Sequence, residues 1–153
     1  SCYAAMEKKR RNYSRIIGSF YDFNQEEKFD CVWASHVLEH QPNVNMFLQK
    51  CIDLINTEGI LCITVPPAKH RIVGGHLTIW NAGLLLYNLV FAGLDCRSAA
   101  VASYGYNITV IVRKVLRPSV DLTWDKGDIE NLAKFFPKGI NGPFNGQINR
   151  LNW

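Results

Sequence analysis

Two apolar runs on either side of a helical repeat constrain this chain more than any other feature. Phe29-Asp-Cys-Val-Trp-Ala-Ser35 is nearly continuous in apolar residues, and Ile60-Leu-Cys-Ile-Thr-Val65 repeats the pattern before Pro66-Pro67. Between them Val44, Phe47, Leu48, Cys51, Leu54 and Ile55 recur at steps of three and four, which marks a helix with one buried face. Runs that are apolar at successive positions suit strands covered on both faces, as in parallel sheets. Strand, helix and strand with short links form a parallel pair with a right-handed crossover. Asn43 is the expected N-cap of the helix. Gly59 is the expected left-handed residue just past its end.

The rest of the chain arranges itself around that unit. Ser1 to Asn12 reads as a helix, Arg15 to Phe20 as a short strand ending near Ser19, and Tyr21 to Lys28 as a loop. Ala68 to Leu77 is a loop rich in Lys, His, Arg and Gly. Thr78 is the expected cap of a helix over Ile79 to Ala92 that is apolar on most sides, hence deeply buried or at an interface. Arg97 to Ser103 and Asn107 to Val115 read as two strands, and the short link Tyr104-Gly-Tyr-Asn107 makes them an antiparallel hairpin. The last strand is expected to insert beside its neighbours. Asp121 to Asp128 is a loop, Ile129 to Phe136 a short helix, and Pro137 to Trp153 an ordered tail.

Composition excludes several classes. The chain has 153 residues, 48% hydrophobic and 20% charged, so it is globular with room for one ordinary core. Its net charge of +4 is modest. The one basic run, Lys8-Lys9-Arg10-Arg11, reads as a solvated helix face, and without a broad basic patch no nucleic-acid partner is expected. The five cysteines are odd in number and include no CxxC pair. They read as buried reduced thiols and point to a cytoplasmic protein. The longest apolar run, Ala82 to Gly93, is too short to span a bilayer.

Phe29-Asp-Cys-Val-Trp-Ala-Ser-His-Val-Leu-Glu-His40, a helix, and then Asn56-Thr-Glu-Gly-Ile-Leu-Cys-Ile-Thr-Val-Pro66 resemble the class I S-adenosylmethionine-dependent methyltransferases. The likeness is to the small-molecule branch written FDxVxxxxVLEH…LxPGGxLxIxxP. Gly93-Leu94-Asp95 matches the family's turn before its sixth strand, and the resemblance covers about Arg15 to Val115. It implies an α/β fold, a Rossmann-like three-layer sandwich whose sheet is mostly parallel and ends in a C-terminal antiparallel hairpin. Residues 1–118 are then the C-terminal part of a methyltransferase-type domain, with 119–153 a helix and tail packed on it. Two departures stand out. Thr57-Glu58-Gly59 replaces Pro-Gly-Gly. The family's Gly-rich loop and ribose-binding acidic residue have no counterpart here, so they are expected upstream of Ser1. Such a sheet would present an open edge beside the Val32-Trp33 strand, a place for self-association as a homodimer.

The resemblance also implies a site. S-adenosylmethionine is the expected cofactor, bound beyond the carboxyl ends of the strands. Ser19 and Phe20 fall where relatives contact the adenine, and Ala34, Ser35 and His36 where they line the methionine part. His70, His76 and Trp80 are candidates for the acceptor side, and His40 for the base that takes the proton of an O- or N-nucleophile. His36 and His40 are four apart, a spacing that can bind zinc. HVLEH is not HExxH, however, and no third ligand lies near in sequence, so no metal is expected. The implied reaction is methyl transfer to a small-molecule or saccharide-type acceptor. The competing reading is a methyltransferase-like binding module without catalysis, with the apolar helix Ile79 to Ala92 and the Trp153 tail as its interface.

Overall fold

The structure is a computed structural model that describes residues 14–153. The helix expected over Ser1 to Asn12, its basic run and Cys2 lie outside the described residues. One mixed sheet of five strands organises the chain, in the order β1-β2-β4-β3-β5. β1 (Phe29–Ser35) leads through a single 3-10 turn, Leu38–His40, to α1 (Val44–Asp53), and β2 (Ile55–Val65) returns beside β1. α2 (Ala82–Phe91), β3 (Ala100–Tyr104) and β4 (Asn107–Arg113) follow, then a short helix α3 (Asp128–Leu132), a 3-10 turn over Ala133–Phe135, and β5 (Arg150–Leu151).

The sheet is not mostly parallel, as expected, but mostly antiparallel. β1 and β2 pair in parallel, whereas β2–β4, β3–β4 and β3–β5 are antiparallel. The cause is local. Gly105, at φ +54, closes a two-residue turn between Tyr104 and Asn107, and such a hairpin can only join antiparallel strands. β4 then inserts between β2 and β3, and the tail adds an edge strand the sequence pattern did not reveal.

The core lies on one face of the sheet. Ala34, Leu61, Ile63, Val65, Val101, Ile108, Val110 and Val112 point to it, against Phe47, Leu48 and Cys51 of α1 and Leu85, Leu86, Leu89 and Val90 of α2. Phe135 and Phe136 close its margin. The other face is uncovered along β1 by any described residue. Trp33 is 70% exposed, Ile60 is 36% exposed and Cys31 is exposed. The expectation of burial on both faces, and of a buried Cys31, is therefore corrected, and helices form a layer on one side only among the described residues. A continuous apolar run says that both faces can be covered, not by what. Cys51 and Cys96 are buried as expected, and burial pushes the Cys51 thiol up to about 12.

Several boundaries shift for identifiable reasons. No strand forms over Arg15 to Phe20, which is irregular chain ending in a turn at Phe20. Asn43 caps α1 as expected, accepting from the Met46 amide at 3.1 Å. α1 ends at Asp53, and it is Glu58, not Gly59, that takes the left-handed conformation, at φ +65. Gly59 is needed for space instead, because a Cβ there would lie 2.9 Å from the Asp30 carbonyl oxygen of β1. α2 starts three residues later than expected, since Asn81 rather than Thr78 is its cap and accepts from the Leu84 amide at 2.7 Å. Thr78 is occupied by the Trp80 indole N–H at 3.0 Å. No helix among the described residues is long and apolar enough to cross a membrane.

Candidate functional site

The site forms where β1 ends and the chain must turn into α1. Thr64 of β2 fixes that end, its carbonyl accepting from the His36 amide at 2.9 Å. His36 itself stands in the left-handed region, at φ +54. A non-glycine residue there costs on the order of 1–3 kcal/mol and persists only where its surroundings hold it. The hairpin turn does so. His36 Nε2 lies 2.9 Å from Asn107 Oδ1, and the Tyr106 ring stacks on the imidazole at 6.3 Å.

The 3-10 turn places Leu38 in the core and carries Glu39 inward with it. The Glu39 carboxylate has a side-chain exposure of 1%, yet neither of its oxygens has a hydrogen-bond partner. Two imidazoles flank it: His36 Nδ1 is 3.4 Å and His40 Nε2 3.7 Å from Oε1. His40 Nδ1 donates to the Gly75 carbonyl at 2.7 Å, and a carbonyl oxygen only accepts. With Asn107 Oδ1 as the acceptor of His36 Nε2–H, each neutral imidazole turns its bare nitrogen toward the carboxylate.

A loop folds over this floor. Its base is closed where Pro67 bridges Trp80 and the Ala68 amide donates to the Trp80 carbonyl at 2.6 Å. Its far side is tied to the turn, because the Glu39 carbonyl accepts from the amides of Leu77 at 2.8 Å and Thr78 at 3.2 Å. Gly75 takes φ +82, and this brings its carbonyl to His40 and the next residue, His76, edge-on to the His40 ring at 5.0 Å.

The structure thus brings Ser35, His36, His40 and His76 to one strand end and leaves the other expected residues apart. Ala34 is buried, its side chain in the core. Ser19 accepts from the Tyr21 amide at 3.3 Å, and Phe20 packs on Phe47 at 5.1 Å between centroids. Both border an apolar cavity of about 390 Å³ beside Phe23, Phe29 and Val32, along β1 rather than at its His36 end. Trp80 is 2% exposed and belongs to the core. Its neighbours Pro67, Asn81, Ser103 and Asn107 line a second cavity of about 300 Å³ between α2 and the hairpin. His70 is exposed on the loop, outside the cluster. Glu39, Gly75, Tyr106 and Asn107 escaped the sequence reading. For Glu39 a signal existed, since it stands three residues after His36 and follows the apolar pair Val37-Leu38.

Residues 3–63 match a methyltransferase domain. That segment contains β1, the His36–His40 turn, α1 and most of β2, so the resemblance carried by Phe29 to His40 holds where the site is built. Alpha N-terminal protein methyltransferase 1 of Dictyostelium discoideum is 39% identical over 54 residues. The match takes in 34% of this chain and 20% of that protein's length.

Proposed function

We propose that this chain contributes to an S-adenosylmethionine-dependent methyltransferase acting on an O- or N-nucleophile of a small-molecule or saccharide-type acceptor. The observation that carries this reading is that the methyltransferase-domain match falls on the segment whose strand end gathers His36, Glu39 and His40. The residues present suit the cofactor in parts. The apolar cavity bordered by Ser19 and Phe20 has the chemistry to take a purine ring. The exposed Ser35 hydroxyl and the main chain at Ala34 and His36 would hold the polar amino-acid end. S-adenosylmethionine supplies an electrophilic methyl group on a sulfonium centre.

The chain's own residues then position and deprotonate. Asn107 and the Thr64 carbonyl hold His36 in its strained backbone. The Gly75 carbonyl holds the proton on His40 Nδ1, so Nε2 is the nitrogen left to accept one from the nucleophile. His76, with His70 further along the same loop, would border the acceptor. Trp80 gives the neighbouring cavity a rigid wall.

A second acceptor reading, the α-amino group of a polypeptide, is supported by the name of the Dictyostelium relative. The test uses the whole protein with methyl-labelled S-adenosylmethionine, a panel of saccharide and small-molecule acceptors, a peptide with a free α-amine and the same peptide N-acetylated. Label on the panel compounds supports the first reading, and label on the free peptide alone supports the second. No label on any acceptor, with no cofactor binding, leaves the non-catalytic module. His40→Ala is expected to lower the transfer rate and leave cofactor affinity nearly unchanged. Unchanged turnover removes His40 from the mechanism.

A further inference from the structure

Glu39, His40 and His76 each offer a ligand atom within 4.8 Å of the other two. His36 and His40 alone looked insufficient for a metal because no third donor is near in sequence. The fold supplies one from the loop, thirty-six positions after His40, through the Gly75 turn.

We infer that Glu39, His40 and His76 form a binding site for a divalent first-row transition-metal ion. Three features point to a ligand rather than to packing. The first is the donor set: two imidazoles and one carboxylate bind such ions and leave coordination positions open. The second is the state of Glu39, a carboxylate with 1% side-chain exposure and no hydrogen bond to either oxygen. Burying a carboxylate that receives no hydrogen bond is costly, and an ion at its mouth removes that cost. The third is the support of His40. Its Nδ1–H is held by the Gly75 carbonyl at 2.7 Å, which fixes the ring and turns Nε2 toward Glu39, the arrangement that orients imidazole ligands of metals. Donors around one ion, each bonded at about 2.1 Å, lie about 3.4 Å apart in a tetrahedral set. His40 Nε2 and Glu39 Oε1 are already 3.7 Å apart. Modest rotation of the half-buried His76 ring on its loop would complete the set.

Binding of the ion does not depend on the methyl-transfer reading. What an ion here would do for catalysis does depend on it. With Nε2 taken as a ligand, His40 would no longer serve as the base, and an acceptor oxygen or nitrogen on an open position of the ion would instead lose its proton to water more readily.

The test uses the whole protein, stripped with a chelator and titrated with Zn²⁺ and separately with Mn²⁺ by calorimetry. Bound metal is then counted by elemental analysis after dialysis. One Zn²⁺ per chain is expected, bound more tightly than Mn²⁺. His76→Ala, His40→Ala and Glu39→Gln are each expected to weaken Zn²⁺ at least about tenfold, the scale on which metal sites respond to lost support. His70→Ala, on the same loop, and Cys31→Ser, an exposed thiol, are expected to bind as the parent does. Circular dichroism checks the fold of each variant, and if Glu39→Gln does not fold, the two surface histidine variants decide. No stoichiometric Zn²⁺, parent-like binding by His76→Ala, or loss of binding in His70→Ala or Cys31→Ser overturns the inference.

Discussion

Replacing Glu39 by Gln should make the metal-free protein more stable, although it removes a side chain at the centre of the site. The carboxylate has lost its water, and the structure gives it no hydrogen bond in return. The effective cost of taking one such ion out of water is several kcal/mol. The flanking imidazoles at 3.4 and 3.7 Å offset it only to the extent that they carry charge, and both are about 40% open to solvent. The amide carries no charge. Its two N–H groups face the bare nitrogens His36 Nδ1 and His40 Nε2, so it can donate where the carboxylate could only accept. A net gain of about 1–3 kcal/mol follows from the removed desolvation penalty. That corresponds to a rise in melting temperature of roughly 3–10 °C at this chain length. The assay is urea unfolding of both proteins in the presence of a chelator, with slope and midpoint fitted together. Zn²⁺ should reverse the order. At a free concentration one hundred times its dissociation constant it would add about 2.7 kcal/mol to the parent and much less to the variant. A metal-free Glu39→Gln protein that is less stable than its parent by more than about 1 kcal/mol would refute the reasoning, because it would show that the carboxylate is well paired without an ion.

Other outcomes follow from single contacts. Asn43→Ala removes the side chain that accepts from the Met46 amide and should cost about 0.5–2 kcal/mol in urea unfolding. Gly75→Ala puts a Cβ at a residue with φ +82, 3.2 Å from His40 Nδ1; it should disturb the His40 anchor, read as a changed imidazole NMR signal, with a smaller effect at His36. The Thr123 amide, the Thr123 hydroxyl and the Trp124 amide hold the Asp128 carboxyl below the usual carboxylate range. A depressed carboxyl contributes stability above its unfolded-state pKa of about 3.9 and loses it as pH falls through the lower folded value. Followed from pH 5 downward, the parent should therefore lose stability as pH falls from about 3.9 toward the lower folded value, whereas Asp128→Asn should be less stable than the parent at pH 5 and show a flatter pH dependence across that window.

The helical repeat and the turn chemistry were readable because each is local. Val44 to Ile55 names its helix face, Asn43 its cap, and Tyr104-Gly-Tyr-Asn107 its hairpin, all from neighbours within a few residues. Strand pairing was less readable. Nothing in Arg150-Leu151 announces that it will extend β3, and an apolar run such as Cys31 to Ala34 does not say which of its faces will be covered. Gly59 shows the same limit from the other side. Its position after the helical repeat suggested a left-handed cap, but the residue beside it took that conformation, and the glycine is required by the close approach of the Asp30 carbonyl across β1 and β2. In the site, His36 and His40 could be named from their motif. Their partners could not: Asn107 arrives by the insertion of β4, and Gly75 and His76 by a loop tied down to the Glu39 main chain.

The most direct test of the methyltransferase reading is calorimetric titration of the whole protein with S-adenosylhomocysteine, the product form of the cofactor. Saturable binding of one ligand per chain, weakened by Ser35→Trp, which would fill the strand end beside His36, is the expected result. Absence of binding up to high micromolar ligand would contradict it.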